Sequence, residues 1–391
     1  MKIWNRLKWA AGCLLLALLI LSDALADPIG FGYVNNTDVA LRRGMGGKVL
    51  VRLPENTCVW VKESATDQQG TLWYHVNAGL NKDYTNLDYD GWMKAEFIAA
   101  GDALWHDITA ISASRTGLIA LRKDGTTILT GRPIVSRDGQ RWESPLGRFD
   151  QTRAVQVLAD ESNGYSVLTE SGKTEYSIGT NNTGENFRLL GCADTVFGIT
   201  FDGQVRSPLQ RFAIQWIYPE AGLDAAALSH IVKLAGSYSR LLLLSDDGEV
   251  YSMFLQNDLD GAPEPEWEKW TNMKNISGGW IRLHPGSHDS AALIGIREDG
   301  TVLAAPRELQ DRLGSWTGMK QIELTVYWAL GLKEDGTAIS LPMVSQAPDV
   351  SGWRDVTSIG IGSDYAVGLK RDGTLVFAGE HIFMGEGHHR K

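Results

Sequence analysis

The sequence predicts an all-β protein, a small barrel followed by a seven-bladed β-propeller, and three observations predict it. Glycine at 43 and tryptophan at 14 of 391 residues supply many turns and many large anchors, as short, tightly joined strands require. Residues 29–99 break into short alternating segments such as "KVLVRL", "CVWVKES" and "LWYHVNA". Beyond residue 105 one phrase keeps returning, an Asp-Gly between two apolar runs: "LRKDGTT", "ITFDGQV", "LSDDGEV", "IREDGTV", "LKEDGTA" and "LKRDGTL".

The amino terminus reads as an export signal. Lys2, Arg6 and Lys8 form a basic head, Trp9 to Leu21 is an apolar run of 13 residues, and Ala24–Leu25–Ala26 is a small-x-small cleavage site. A run of 13 is short of the ~20 residues a spanning helix needs, so residues 1–26 are expected to be removed and the mature chain to have no membrane span. Cys13 stands in the first part of the apolar run, not after it, which argues against lipidation. Losing Lys2, Arg6, Lys8 and Asp23 takes away a net +2 and moves the charge from −10 to −12. That acidity disfavours nucleic acid and anionic membranes or wall polymers as partners. Cys58 and Cys192 would remain, in different predicted domains, as buried small hydrophobes and not a disulfide.

Residues 27–100 form the predicted barrel, in the segments "GYVNN", "DVALRRG", "KVLVRL", "CVWVKES", "LWYHVNA" and "GWMKAEFI". Trp73 and Trp92 are assigned to its core. "RRGMGGKV" lacks the first glycine of a phosphate loop and carries Val49 where Ser or Thr would bind magnesium, so it is read as a hairpin loop. Tyr84 and Tyr89, in the polar insertion "NKDYTNLDYD", are the exposed contact candidates. The segment order resembles the bacterial Src-homology-3 fold of secreted wall-associated proteins, over about 70 residues. The stretches that match are Val34 to Gly44, Asn56 to Val61, Trp73 or Tyr74 to Val76, and Gly91 to Ile98.

Residues 101–391 are registered on the Asp of each Asp-Gly: Asp124, Ser171 (a degenerate copy), Asp202, Asp247, Asp299, Asp335 and Asp372, spaced by 31 to 52 residues. Three residues earlier stand Leu121, Leu168, Ile199, Leu244, Ile296, Leu332 and Leu369. Five earlier stand Ile119, Ser166, Phe197, Leu242, Ile294, Leu330 and Val367. A spacing of two places both columns on one strand face. Asp-Gly between such runs signals a hairpin, here expected as a type I′ turn, so these carboxylates are turn formers and not catalysts. Trp105, Trp316 and Trp353 open the repeats nineteen residues before the anchor. Trp270 opens the fifth repeat ten residues early, so an insertion follows it, and the match of Trp280 to that offset is coincidence. Seven such units close most simply into a propeller. The pattern "W-x-x-(I/V/M)-x-x-I … L-x-x-D-G-T" resembles the repeat of the regulator of chromosome condensation family over residues 105–379. The family's "G-x-x-H" is absent, and export with an acidic surface argues against a nuclear exchange role. The resemblance to its bacterial secreted members implies a binding scaffold. A composition break at "FIAAGDAL" suggests that barrel and propeller fold separately.

No motif carries enzymatic chemistry. "SRDGQRW" is one residue short of a sialidase Asp-box and "QNDLDG" has Gln256 at the first position of a calcium loop. "GSHDS" sets Ser, His and Asp side by side without the convergence a triad needs. No metal or cofactor is expected. The loops between the first two strands of each repeat ring one end of a propeller, and there stand Tyr238, Trp280, Arg282, His284, His288, Tyr327, Trp328 and Tyr365. Aromatics with Arg and His make the composition of a protein-binding hot spot. Trp328 and Tyr365 also share strand parity with the core columns. The reading is therefore an exported, envelope-associated monomer without catalysis, binding a protein or a cell-wall glycan. The alternative is a glycan hydrolase with two carboxylates at the propeller channel.

Overall fold

A computed structural model describes residues 28–380 except 83–84, 116, 132–133, 136–141, 144–148, 150–151, 161–163, 178–183, 194, 209–216, 220–222, 238–239 and 256–268. The proposed signal segment, Tyr84, Tyr238 and the "QNDLDG" stretch lie outside the described residues.

The amino-terminal part is one antiparallel sheet of seven strands: β1 Gly30–Val34, β2 Val39–Arg42, β3 Val49–Leu53, β4 Cys58–Thr66, β5 Leu72–Lys82, β6 Thr85–Lys94 and β7 Ile98–Ala99. Its order is β3-β2-β6-β5-β4-β1-β7. Val34, Leu41, Leu53, Val59, Val61, Val76 and Met93 meet in a common core, so the alternation seen in the sequence points inward along every main strand. Trp73 belongs to the buried set, its indole N–H held by Asp67 at 2.8 Å. Trp92 departs from expectation. It is half-buried and stacks on His75 at 4.9 Å and 7°, on a face where His75 also meets Asp90 at 2.6 Å and Glu63 at 3.1 Å. Tyr89 is half-buried against the core and not an exposed contact, because its strand position alternates inward.

Each of the seven registered repeats forms a three-stranded meander. The first strands are Ile108–Ser114, Ala154–Ala159, Phe187–Ala193, Ile231–Ser237, Met273–Ile281, Met319–Leu324 and Val356–Ile361. They contact one another in that order, and the seventh contacts the first, so the repeats make a closed ring with these strands innermost. The third and fourth repeats are also joined by a parallel pairing of Cys192 with Ala235. The two apolar columns fall on the middle strands and are buried in every repeat. Trp270, not Trp280, is the opening anchor of the fifth repeat: a Cβ added to Gly295 on the middle strand would sit 2.6 Å from the Trp270 ring.

The recurrent phrase does more than turn the chain. Arg122 N–H donates to Thr126 O at 2.8 Å and Gly125 N–H to Arg122 O at 3.0 Å, which closes a three-residue loop. Only the glycine has positive φ, +84° at Gly125, and Asp124 does not. The turn is therefore type I followed by a left-handed glycine bulge, not the expected type I′, because the hairpin has one more loop residue than a two-residue turn allows. The glycine carbonyl then accepts the first N–H of the next inner strand: Ala154 to Gly125 at 2.9 Å, Met319 to Gly300 at 3.0 Å, and Ile108 to Gly373 at 3.0 Å across the closure of the ring. At Gly125, Gly172, Gly248, Gly300, Gly336 and Gly373 the phrase is both a turn and a clasp between neighbours.

Asp124, Asp299, Asp335 and Asp372 accept from the hydroxyl and the N–H of the Thr two residues on, and Asp247 from Ser245 and from Glu249 N–H. Those hydroxyls first, then the N–H groups, hold all five carboxyls below the usual aspartate range. A depressed folded-state pKa contributes stability that is whole above the unfolded aspartate range and drains as pH falls through the folded value. The melting temperature should therefore fall as pH drops below ~4, and replacing the five Asp by Asn should flatten that fall. Thermal melts between about pH 6 and about pH 3 check it.

The two parts share a core. Phe31, Tyr33, Cys58 and Trp60 of the amino-terminal sheet cluster with Trp105, Ile108, Leu118, Tyr365, Val367, Leu369 and Phe377 of the first and seventh repeats. The Phe31 ring lies 5.0 Å from Trp60 and 5.3 Å from Tyr365, both edge-on, and Trp105 donates its indole N–H to Phe31 O at 2.9 Å. Burial pushes the Cys58 thiol up to about 12, which fits an inert hydrophobe, and neither Cys58 nor Cys192 is in a disulfide. A core shared in this way argues against the two halves folding separately. Phe31 and Trp60 alternate like barrel residues but bury themselves against the ring.

Candidate functional site

Inner strands end, and middle strands begin, at one rim of the ring, opposite the Asp-Gly hairpins. The fifth repeat carries the insertion there, 282–289, between Met273–Ile281 and Ser290–Arg297. Arg282 is gripped by Asp289, with Nε and Nη2 both 2.8 Å from Oδ1. Its backbone N–H bonds Val326 O at 2.8 Å. That contact ties the insertion to the sixth repeat and holds the guanidinium 5.9 Å from the centre of the Tyr327 ring. His284 meets Glu308 at 2.6 Å, and His288 is exposed. Trp280, at the end of the inner strand, is half-buried. The structure therefore brings Arg282, Asp289 and Tyr327 together, with His284, His288 and Trp280 on the same insertion.

Two of the expected contact residues are core. Trp328 and Tyr365 are both 0% exposed. The Trp328 indole donates to Ser363 O at 3.1 Å, and the Tyr365 hydroxyl to Gly117 O at 2.6 Å and Ser114 O at 3.1 Å. Their parity with the core columns decides it, since a middle strand buried on both sides leaves its rim residues no solvent face. The insertion is also partly packing. Ile281 and Leu283 are buried against Leu309 and Leu313 of the short helix Arg307–Leu313.

Down the axis runs a cavity of about 300 Å³ lined from all seven inner strands, with Arg115, Asp160, Tyr327 and Ser363 at its rim end. The inner strands each carry a bulge at the same place, for example between Ile108 and Ala110 and between Ile231 and Lys233. The residues just past the bulge form one tier: Ala110, Gln156, Leu189, Lys233, Asn275, Gln321 and Ser358, paired across to the first apolar column. Two residues on, Ser112, Leu158, Gly191, Ala235, Ser277, Glu323 and Gly360 form a second. Most polar members reach the next repeat: Gln156 bonds Leu190 O at 2.8 Å and Leu190 N–H at 2.9 Å, Ser277 bonds Ile322 O at 2.6 Å, and Gln321 bonds Ile359 O at 2.9 Å. Lys233 and Glu323 are the only charges in these two tiers. Burial pushes the lysine pKa down and the glutamate pKa up, each opposed by the other's charge.

Sequence reasoning missed this pair. It read the repeats backward from the anchor, and a single bulge reverses strand parity, so the inner-strand face could not be extrapolated. The signal was available in the opening motif: in "IVKLAG" and "MKQIEL" the residues flanking the second apolar position face the channel.

Among the described residues no group of three or more His, Cys, Asp or Glu is placed to hold a metal, and no helix is long and apolar enough to cross a membrane. The recurrent Asp residues sit at the hairpin end. The carboxylates lining the channel are Asp160, which accepts Gly164 N–H at 2.7 Å, and Glu323.

No family model matches the chain and no curated protein matches it. Among solved structures it is similar to a computationally designed protein, Ika8, at 13% identity over 89% of this chain and 98% of that one, with a TM-score of 0.36. It is similar to Prp20p from Saccharomyces cerevisiae at 14% identity over 71% and 74%, with 0.35. Human WBSCR16 is similar at 13% identity over 91% and 90%, with 0.29. At such scores the architecture rests on the register and the cyclic contacts, not on these likenesses.

Proposed function

We propose that this chain is an exported binding protein without catalysis of its own. Its ring is a seven-bladed propeller whose rim recognises a protein or glycan, and a bacterial SH3-like domain ahead of it tethers it to the cell envelope or recruits a partner. The observation that carries the reading is the rim cluster in which Arg282 and Asp289, raised on an insertion that a closed ring does not need for its closure, meet Tyr327 of the sixth repeat. Arg and Tyr held in fixed orientation on a rigid scaffold are what hot spots are made of. Seven inner strands in cyclic contact support the blade count. The single sheet around one apolar core supports the SH3-like reading, and the basic head, apolar run and "ALA" support export. The recurrent Asp residues are turn formers at the hairpin end and do not line the channel, which favours binding over glycan hydrolysis.

The test immobilises the full chain and an Arg282→Ala/Tyr327→Ala variant against envelope and secreted fractions. A ligand retained by the native chain should be lost by the variant, at a cost of about 2 kcal/mol or more in affinity. The variant's melting temperature should fall less than that of Leu332→Ala, a fully buried core change. Equal retention by both would end the rim reading.

A further inference from the structure

Lys233 and Glu323 stand on the fourth and sixth inner strands, with the fifth between them. Each is oriented by an amide that is itself fixed. Lys233 Nζ donates to Asn275 Oδ1 at 2.7 Å, and Asn275 Nδ2 is anchored on Lys320 O at 2.8 Å. Glu323 Oε1 accepts from Gln321 Nε2 at 2.9 Å, and Gln321 Oε1 is pinned by Ile359 N–H at 3.1 Å and Ser358 at 3.3 Å. Between them on the fifth inner strand Ser277 lines the same cavity, its hydroxyl committed to Ile322 O. The ammonium and the carboxylate feel each other's charge yet form no direct ion pair, and both line the same cavity.

Opposite charges held apart in a poorly solvated channel remain largely uncompensated. An ammonium has three donors and a carboxylate about four acceptor positions, so one partner each leaves most of that capacity pointing into the cavity. A lone anion would satisfy the lysine and repel the glutamate, and a lone cation the reverse. A molecule carrying both charges on a short frame satisfies both at once. At about 300 Å³ the cavity is at the small end of ligand pockets, and the rim gives it an entrance beside Tyr327 and Ser363. We propose that the channel binds a small zwitterion of the α-amino-acid type, with its carboxylate on Lys233 and its ammonium on Glu323. The charged pair is distinct from Arg282 and Asp289, although Tyr327 of the rim cluster lines the mouth of the same cavity, and it stands whether or not the rim binds a macromolecule.

The experiment titrates the full chain with glycine, L-alanine and L-glutamine by calorimetry and thermal shift, beside acetate and methylamine as single-charge halves. The zwitterions should raise the melting temperature in a concentration-dependent way and the halves should not. A Lys233→Met/Glu323→Gln variant removes both charges together, so it leaves neither unpaired, and it should bind at least ~tenfold more weakly. Glu323→Gln alone, read by calorimetry, should lose binding as well, which keeps the test decisive if the double variant folds poorly. Arg282→Ala should keep the response, which separates this site from the rim. No response to any zwitterion at about 10 mM, an equal response to the halves, or native binding by the charge-free variant would each overturn the proposal and leave Lys233 and Glu323 as a structural pair.

Discussion

Replacing Trp60 by Ala is expected to cost the whole chain about 3–5 kcal/mol of stability, although Trp60 belongs to the small amino-terminal sheet. Its ring is 0% exposed and lies 5.7 Å from both Tyr365 and Phe377 of the seventh repeat. Tyr365 in turn hands its hydroxyl proton to Gly117 O of the first repeat. The substitution thus opens a cavity where the ring closes, beside the clasp from Ile108 N–H to Gly373 O. Removing residues 27–100 should act in the same direction and further. It bares Tyr365 and Phe377 and takes Phe31 O from the Trp105 indole, so the truncated ring should melt lower or aggregate. Urea unfolding followed by tryptophan fluorescence and by circular dichroism checks both. The native chain should show one shared transition that Trp60→Ala moves as a unit. Two transitions, with the ring's midpoint unmoved by Trp60→Ala, would mean the junction contributes little.

What the sequence made legible follows from what repeats. The columns ending at Leu121 and Leu369 could be read because seven copies average out any single residue, and the turn glycines because only they take positive φ there. The turn type could not be read from Asp-Gly alone. It depends on where pairing resumes, Leu121 with Thr127, and that register is a property of two strands together. The junction with the ring was hidden for a similar reason. Phe31 and Trp60 show the alternation of a barrel core, and alternation says that a residue is buried but not against what. Trp328 and Tyr365 were ambiguous because a rim aromatic and a core aromatic have the same spacing. The channel charges were obscured by the bulge before Lys233 and Gln321, which no propensity signals. The position of Arg282 at the rim could be read because an insertion breaks the repeat there, and a broken repeat is visible.

Gly278→Val should be among the costliest single changes away from the junction, about 3 kcal/mol or more, at or beyond the upper range for overpacking. Gly278 lies on the inner strand of the fifth repeat, against the fourth. A Cβ there would sit 2.4 Å from Gly236 O, 2.6 Å from its carbonyl carbon and 2.9 Å from its Cα. All three are backbone atoms, so no side chain can swing aside. The same closeness continues to the third repeat, where a Cβ on Gly191 would come within 2.4 Å of Leu234 O and where Cys192 pairs directly with Ala235. On this arc of the ring the inner backbones nearly touch, and glycine is what lets them. Valine would wedge the fourth and fifth repeats apart and disturb the bond from Lys233 to Asn275 that spans the same gap. Gly352→Ala is the matched control, since an added Cβ there has nothing within 4 Å and should change stability by no more than about 0.5 kcal/mol. Chemical denaturation of the two variants and of Gly278→Ala should rank them Val, then Ala, then the control. If Gly278→Val melts with the control, the inner strands are not in backbone contact and the tight arc is wrong.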